Sequence, residues 1–145
     1  MATFSKQFLS SSMDGGFFGL AVEVKTSSSY PNASLFGTGI HTPPEGSTEL
    51  DEVWLYATNV GTAAKTLVIQ FGNTGSAYEI VQELPSRSGL VLMVPGLVIG
   101  KTGSFSDFAW PQSGSQIAAY AGGTADSTTS DILITGYVNR ISGST

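Results

Sequence analysis

Apolar and polar residues alternate with period two in four stretches of the chain. Val53, Leu55 and Ala57 interleave with Trp54, Tyr56 and Thr58, and Leu67, Ile69 and Phe71 with Thr66, Val68 and Gln70. Further on, Tyr78, Ile80 and Gln82 interleave with Glu79, Val81 and Glu83, and Ile132, Ile134 and Gly136 with Leu133, Thr135 and Tyr137. This period, in segments rich in β-branched and aromatic residues, is that of strands with two unlike faces. One stretch also fits a helical face, through Leu50, Val53, Trp54 and Ala57. The β-propensity of EVWLYAT, and the turn residues Asn59 and Gly61 that follow so soon, decide for a strand.

Turn formers punctuate these stretches at Asn59-Val60-Gly61, Gly72-Asn73-Thr74-Gly75, Pro85 to Gly89, Pro95-Gly96 and Gly122-Gly123. About eight antiparallel strands are predicted, near 17–25, 34–40, 52–58, 65–72, 77–84, 89–94, 115–121 and 131–141. No amphipathic helix stands out and no internal repeat is visible. The fold class is therefore all-β, a single β-sandwich for which a jelly roll or an immunoglobulin-like arrangement would both serve.

Three segments break the alternation. Residues 1–16 are Ser-rich yet carry Phe4, Phe8 and Leu9, and read as an extended N-terminal arm ahead of a sandwich domain over 17–145. Residues 41–51 form a loop stiffened by Pro43-Pro44, and residues 101–115 hold Phe105, Phe108 and Trp110 among turn formers. Burying Phe4, Phe8, Leu9, Phe17 and Phe18 is worth roughly 1.5–3 kcal/mol each. Ordering some fifteen residues costs about 1–2 kcal/mol apiece. Apolar contact alone does not hold such an arm. It needs backbone pairing too, such as strand addition to a neighbour's sheet edge, and is expected to be either loose in isolation or ordered by a partner.

Composition narrows the function classes. The 145 residues include only 6 Lys+Arg and 11 Asp+Glu, 12% charged, about half the roughly 25% of an average soluble protein. The polar remainder is hydroxyl, 20 Ser and 15 Thr. With no cysteine there is neither a disulfide framework nor a thiol nucleophile. A net charge of −5 leaves no basic surface for phosphates, so no nucleic-acid partner is expected. No apolar run approaches the roughly 18 residues of a membrane helix, and the opening MATFSKQFLSSS has no apolar core of a secretory leader. Synthesis in a cytosol is expected, with no membrane partner. So little surface charge in a small domain points to a surface partly occupied by copies of itself or by another protein.

Candidate chemistry is sparse. His41 is the sole histidine and hence the one general base near neutrality, but no nucleophile-elbow motif accompanies it, and it reads as a loop histidine beside the Pro-Pro turn. PGLVIGKT (95–102) has three residues between Gly96 and Gly100 where a phosphate loop needs four, and no helix follows. Glu49, Asp51 and Glu52, and Glu79 with Glu83, read as solvated strand faces rather than an acid pair for glycoside hydrolysis. Asp126 and Asp131 bracket a polar loop without calcium-loop spacing. No catalytic residue, cofactor site or metal site is therefore assigned. Asn32-Ala33-Ser34 is a glycosylation acceptor only in a secreted chain. Arg87 and Arg140 are available for ion pairs at a sandwich edge or across an interface. Trp54, Tyr56, Trp110, Tyr120 and Tyr137 offer rings for a sugar-stacking platform, although aromatics at strand positions more often pack a core or a sheet face. Trp54, Trp110 and Tyr120 are the stacking surfaces of that reading.

Four texts carry a resemblance: DEVWLYATN (51–59), KTLVIQFG (65–72), SRSGLVLMVPGLVIG (86–100) and ITGYVNRI (134–141). They resemble the capsid decoration (cement) proteins of tailed bacteriophages, over about 50–141. The resemblance implies a jelly-roll-like β-sandwich on the outer surface of a virion, commonly a homotrimer, bound to the major capsid protein and made in a bacterial host's cytoplasm. It implies a structural role without an enzyme activity. The expected capsid or subunit interface residues are the aromatics and leucine of arm and loops: Phe4, Phe8, Leu9, Phe17, Phe18, Phe105, Phe108 and Trp110. The alternative is a carbohydrate- or receptor-binding β-sandwich module of a head fibre or tail.

Overall fold

The computed structural model describes residues 2–10, 21–24, 26–27, 38–43, 49–71, 79–100, 117–122 and 131–143. Among them are ten strands and no α-helix: β1 (Thr3–Phe8), β2 (Val22–Val24), β3 (Thr26–Ser27), β4 (Thr38–His41), β5 (Glu49–Asn59), β6 (Lys65–Phe71), β7 (Glu79–Leu84), β8 (Val91–Gly100), β9 (Ile117–Gly122) and β10 (Ile132–Ser142). They form two sheets packed as a β-sandwich. Sheet A has the order β1-β10-β5-β8, with β2 also on β10; sheet B has β3-β9-β6-β7, with β4 also on β9. All pairings are antiparallel except the two-residue contact of β3 with β9.

The alternation read from the sequence is what closes the core. Asp51, Val53, Leu55, Ala57 and Asn59 of β5 point inward while their neighbours point out. Ile132, Ile134 and Val138 do the same from β10. Leu67 and Ile69 of β6 and Ile117, Ala119 and Ala121 of β9 meet them from sheet B. The two sheets differ on their far sides. In sheet B, Val68, Gln70, Ala118 and Tyr120, turned away from the core, are buried as well. In sheet A the residues turned away from the core are mostly half-buried on the central strands and exposed on β1.

Two strands depart from expectation. β8 does not stop at Pro95-Gly96 but runs to Gly100, because the pair accommodates a bulge: Val53 faces Leu97, Trp54 faces Pro95, and Gly96 is the extra residue. Its φ of +81° is one that glycine adopts without strain, and an edge strand tolerates Pro95. The arm also differs. Residues 3–8 are neither loose nor given to a neighbour. They form β1, in register with the chain's own β10 from Thr3 opposite Ser142 to Phe8 opposite Tyr137.

One end of the sandwich is closed by Asn59, which is fully buried. Its amide donates to the carbonyls of Ala63 (2.9 Å) and Leu84 (3.1 Å), and its side-chain oxygen accepts from the Gly61 N–H (2.9 Å). These three bonds tie the end of β5 to the turn that enters β6 and to the end of β7. Asn59→Ala is expected to lose about 2 kcal/mol in urea unfolding; a loss of under about 0.5 kcal/mol would show the bonds to be replaceable by water.

Candidate functional site

Register places the outward residues of sheet A in rows across four strands. Phe8, Tyr137, Trp54 and Pro95 form one row, and Lys6, Asn139, Glu52 and Val98 the next. Phe4, Ile141 and Leu50 form a third, and Tyr56 with Leu92 extends the surface on the other side. Phe4 is 71% exposed and Phe8 50%, and Leu50, Leu92 and Val98 are exposed too. Trp54 and Tyr137 lie half-buried with nearly parallel rings, 12° apart in plane and 6.3 Å between centroids. Lys6 Nζ stands 4.1 Å from the Tyr137 ring centre, a cation–π contact. Asn139 donates to Glu52 at 2.8 Å. That bond, followed by the nearby Trp54 indole N–H, holds the Glu52 carboxyl below the usual carboxylate range, although the buried indole N–H makes no hydrogen bond of standard geometry. The face is thus mixed: two rows of aromatic and apolar residues flank a polar row made by Lys6, Asn139 and Glu52.

Beneath one end of that face lies a buried ionic network. Asp51 points inward from β5 with no exposure. It accepts from Arg140 of β10 through Nε (3.0 Å) and Nη2 (3.1 Å), and from His41 Nε2 of β4 (2.8 Å). The other imidazole nitrogen, Nδ1, accepts the Ser10 backbone N–H at 3.1 Å, and the Thr42 N–H donates to Ser10 Oγ at 2.9 Å. Sheet A, sheet B and the end of the arm are joined in one cluster. Burial pushes the Asp51 carboxyl up, but the hydrogen bonds from Arg140 and His41 overcome it and leave the group below its ordinary value. For His41 burial dominates, and the ring stays neutral to lower pH than a free histidine.

His41 is therefore not a loop residue but the last residue of β4, 1% exposed. It lies beside a serine and an aspartate, yet the chemistry of a hydrolase is not assembled: Nδ1 is filled by a backbone N–H and Nε2 by Asp51, so neither nitrogen is open to a substrate proton. Nor is Asp51 part of a solvated face. Arg140, placed by sequence at an edge or an interface, pairs within the chain.

The arm is held by a narrow margin. All six residues of β1 are exposed, and among the described residues of the arm Leu9, 1% exposed, is the one that enters the core. Ordering the eight residues from Thr3 to Ser10 costs about 8–16 kcal/mol of backbone entropy. About eight hydrogen bonds, from the ladder and from Ser10, with the burial of Leu9 return about 6–15 kcal/mol.

Of the residues expected at an interface, Phe4 and Phe8 lie exposed on the open face, whereas Leu9 serves the chain's own core. Phe17, Phe18, Phe105, Phe108 and Trp110 lie outside the described residues, as do Asn32 and Asp126. Tyr120, offered by sequence as a stacking ring, is 2% exposed and donates its hydroxyl to Glu79 at 3.3 Å; it presents no free ring. Trp54 does face outward. Asp131 pairs with Lys65 at 3.3 Å. An open hollow of about 340 Å³ is lined by Thr58, Asn59, Val60, Arg87 and Gly89, a set without an acid–base pair. Among the described residues no group of three or more His, Cys, Asp or Glu is placed to hold a metal ion, and no helix is long and apolar enough to cross a membrane. No protein family, curated protein or solved structure matches the chain.

Proposed function

We propose that this protein is a capsid decoration protein, a fastener on the outer surface of a bacteriophage head that binds the major capsid protein through the open face of sheet A. The observation that carries the reading is that face: Phe4, Phe8, Trp54, Leu50 and Val98 gathered on one side of sheet A. On sheet B the outward Val68, Gln70, Ala118 and Tyr120 of the two central strands are buried, and Val81 alone is a large exposed hydrophobic among that sheet's described residues. Large aromatics in such a setting are the residues that dominate binding energy when buried by a partner. The low charge and the likeness of four strand texts to cement proteins support the same conclusion. A fastener needs no reacting group. Many copies, expected as trimers, each adding modest affinity, stabilise the closed shell by binding it in preference to its dissociated subunits.

The test is co-sedimentation with mature heads of the phage whose genome encodes the chain. Phe4→Ser, Phe8→Ser and Trp54→Ser are each expected to weaken attachment at least about 30-fold, the effect of about 2 kcal/mol at a binding hot spot, compared at a temperature where thermal unfolding shows each variant to be folded. Wild-type protein that ignores the heads, or triple-variant protein that binds as well as wild type, ends the proposal.

A saccharide-binding reading draws on one specific observation, the parallel Trp54 and Tyr137 rings beside the Glu52–Asn139 pair. Lys6 already covers one face of Tyr137, which leaves Trp54 as the stacking surface. Retention on a glycan array that Trp54→Ser abolishes, together with location on a tail or fibre rather than the shell, would favour it.

A further inference from the structure

The open face owes Phe4, Lys6 and Phe8 to a strand with no buried side chain of its own. What fixes the end of that strand is the short segment Leu9-Ser10, with Leu9 in the core and Ser10 bonded to β4 through His41 Nδ1 and the Thr42 N–H. Accepting the Ser10 N–H requires a lone pair on Nδ1. The ring proton therefore sits on Nε2, where it is donated to Asp51. A second proton has one place to go, Nδ1, and there an N–H would face an N–H.

We propose that protonation of His41 is the release for the arm: the doubly protonated ring expels the Ser10 N–H, frees the Leu9-Ser10 anchor, and lets β1 leave β10 with Phe4, Lys6 and Phe8. That this release detaches the protein from a capsid rests on the function proposed above; the release itself does not.

The charged groups around the ring set its direction. Asp51 of β5 favours the cation, but its carboxylate is already shared with Arg140 of β10, whose guanidinium opposes a second positive charge. Glu49 of β5 acts on Arg140 rather than on the ring. From β9 the residue paired with His41 is the uncharged Ile117, and β1 places Ser5 opposite Arg140. Among the described residues no second carboxylate is hydrogen-bonded to the ring to balance it, so a protonated His41 leaves the cluster with an excess positive charge in a buried site. The arm, whose retention is marginal, is the element that yields.

His41 is the only histidine, so its ring signals in an NMR titration of the full chain are free of overlap. Amide protection of residues 3–10, corrected for intrinsic exchange, is expected to be flat above pH 6.5, the ordinary histidine value. Below it, protection should fall by up to tenfold per pH unit and level off once the ring itself has titrated. His41→Gln, whose amide accepts and donates but takes up no proton, should keep the arm protected at pH 5, whereas His41→Ala should leave it open at every pH. Protection that stays flat while the ring titrates, or a His41→Gln arm that opens at the wild-type pH, overturns the proposal. If His41→Gln does not fold, the wild-type co-titration decides alone. Binding to heads at pH 7.5 and 5.0 separates the two claims. Loss at pH 5.0 in wild type but not in His41→Gln extends the release to attachment, whereas an opened arm on heads that still hold the protein overturns only that extension.

Discussion

Asp51→Ala is expected to destabilise the folded chain by about 3–5 kcal/mol in denaturant unfolding at pH 7, the cost of leaving a buried ionic partner uncompensated. The substitution removes the one acceptor shared by Arg140 Nε, Arg140 Nη2 and His41 Nε2. Nothing else among the described residues is hydrogen-bonded to those three donors. The network also fixes how stability responds to acid. Both His41 and Asp51 have folded-state values below their ordinary ones. In each case the unfolded chain takes up a proton before the folded chain does, so stability falls as pH falls. For His41 the loss begins below about 6.5, and for Asp51 below about 3.8. Wild type should therefore weaken in two acid stages, and Asp51→Ala should show a smaller second stage, the part that Glu52 contributes. A cost under about 1 kcal/mol at pH 7, the range of an exposed pair, would show that water replaces the carboxylate.

Gly136→Ala is the other large effect. Gly136 sits mid-strand in β10, opposite Leu55, within the eleven-residue register that joins β10 to β5. A β-carbon there would collide with the Trp54 carbonyl oxygen, and would come within 3.1 Å of the Trp54 carbonyl carbon and 3.2 Å of Leu55 Cα. These are backbone atoms, so no rotamer change relieves the contact, and the two central strands of sheet A must part. The cost is expected at about 3 kcal/mol or more, the upper range for overpacking. For a chain of this size that is a fall of about 10 °C in the unfolding midpoint. A midpoint within about 2 °C of wild type would mean that the sheet flexes around the methyl.

Much of the sandwich is written in period two. β5, β6 and β10 alternate because one face of each meets the core, and turn residues bracket them. The same alternation, followed one step further, also carried the buried network. If Val53, Leu55 and Ala57 face inward, so do Asp51 and Asn59; if Ile132 and Ile134 do, so does Arg140. A carboxylate and a guanidinium on the inward registers of two strands are the signature of a buried pair. That signal was present, and reading Glu49, Asp51 and Glu52 as one cluster of acids hid it. His41 was beyond reach, since it reaches Asp51 from the other sheet, a contact set by tertiary packing rather than by register. The arm misleads for a different reason. Phe4, Lys6 and Phe8 alternate with Ser5 and Gln7 as a strand should, but with the phenylalanines outward and no core side chain until Leu9. An alternation that points its large residues at solvent resembles a loose tail until its pairing strand is known. Pro95-Gly96 likewise ends a strand by its composition and continues one by its bulge.

The pairing of β1 with β10 has a consequence for biosynthesis. Phe4 and Phe8 leave the ribosome early, while Ile141 and Tyr137, the residues they lie against, leave late. Contacts so distant along the chain form slowly, and synthesis proceeds in one direction. The ordered rows that β1 adds to sheet A are thus absent from a nascent chain until β10 has emerged.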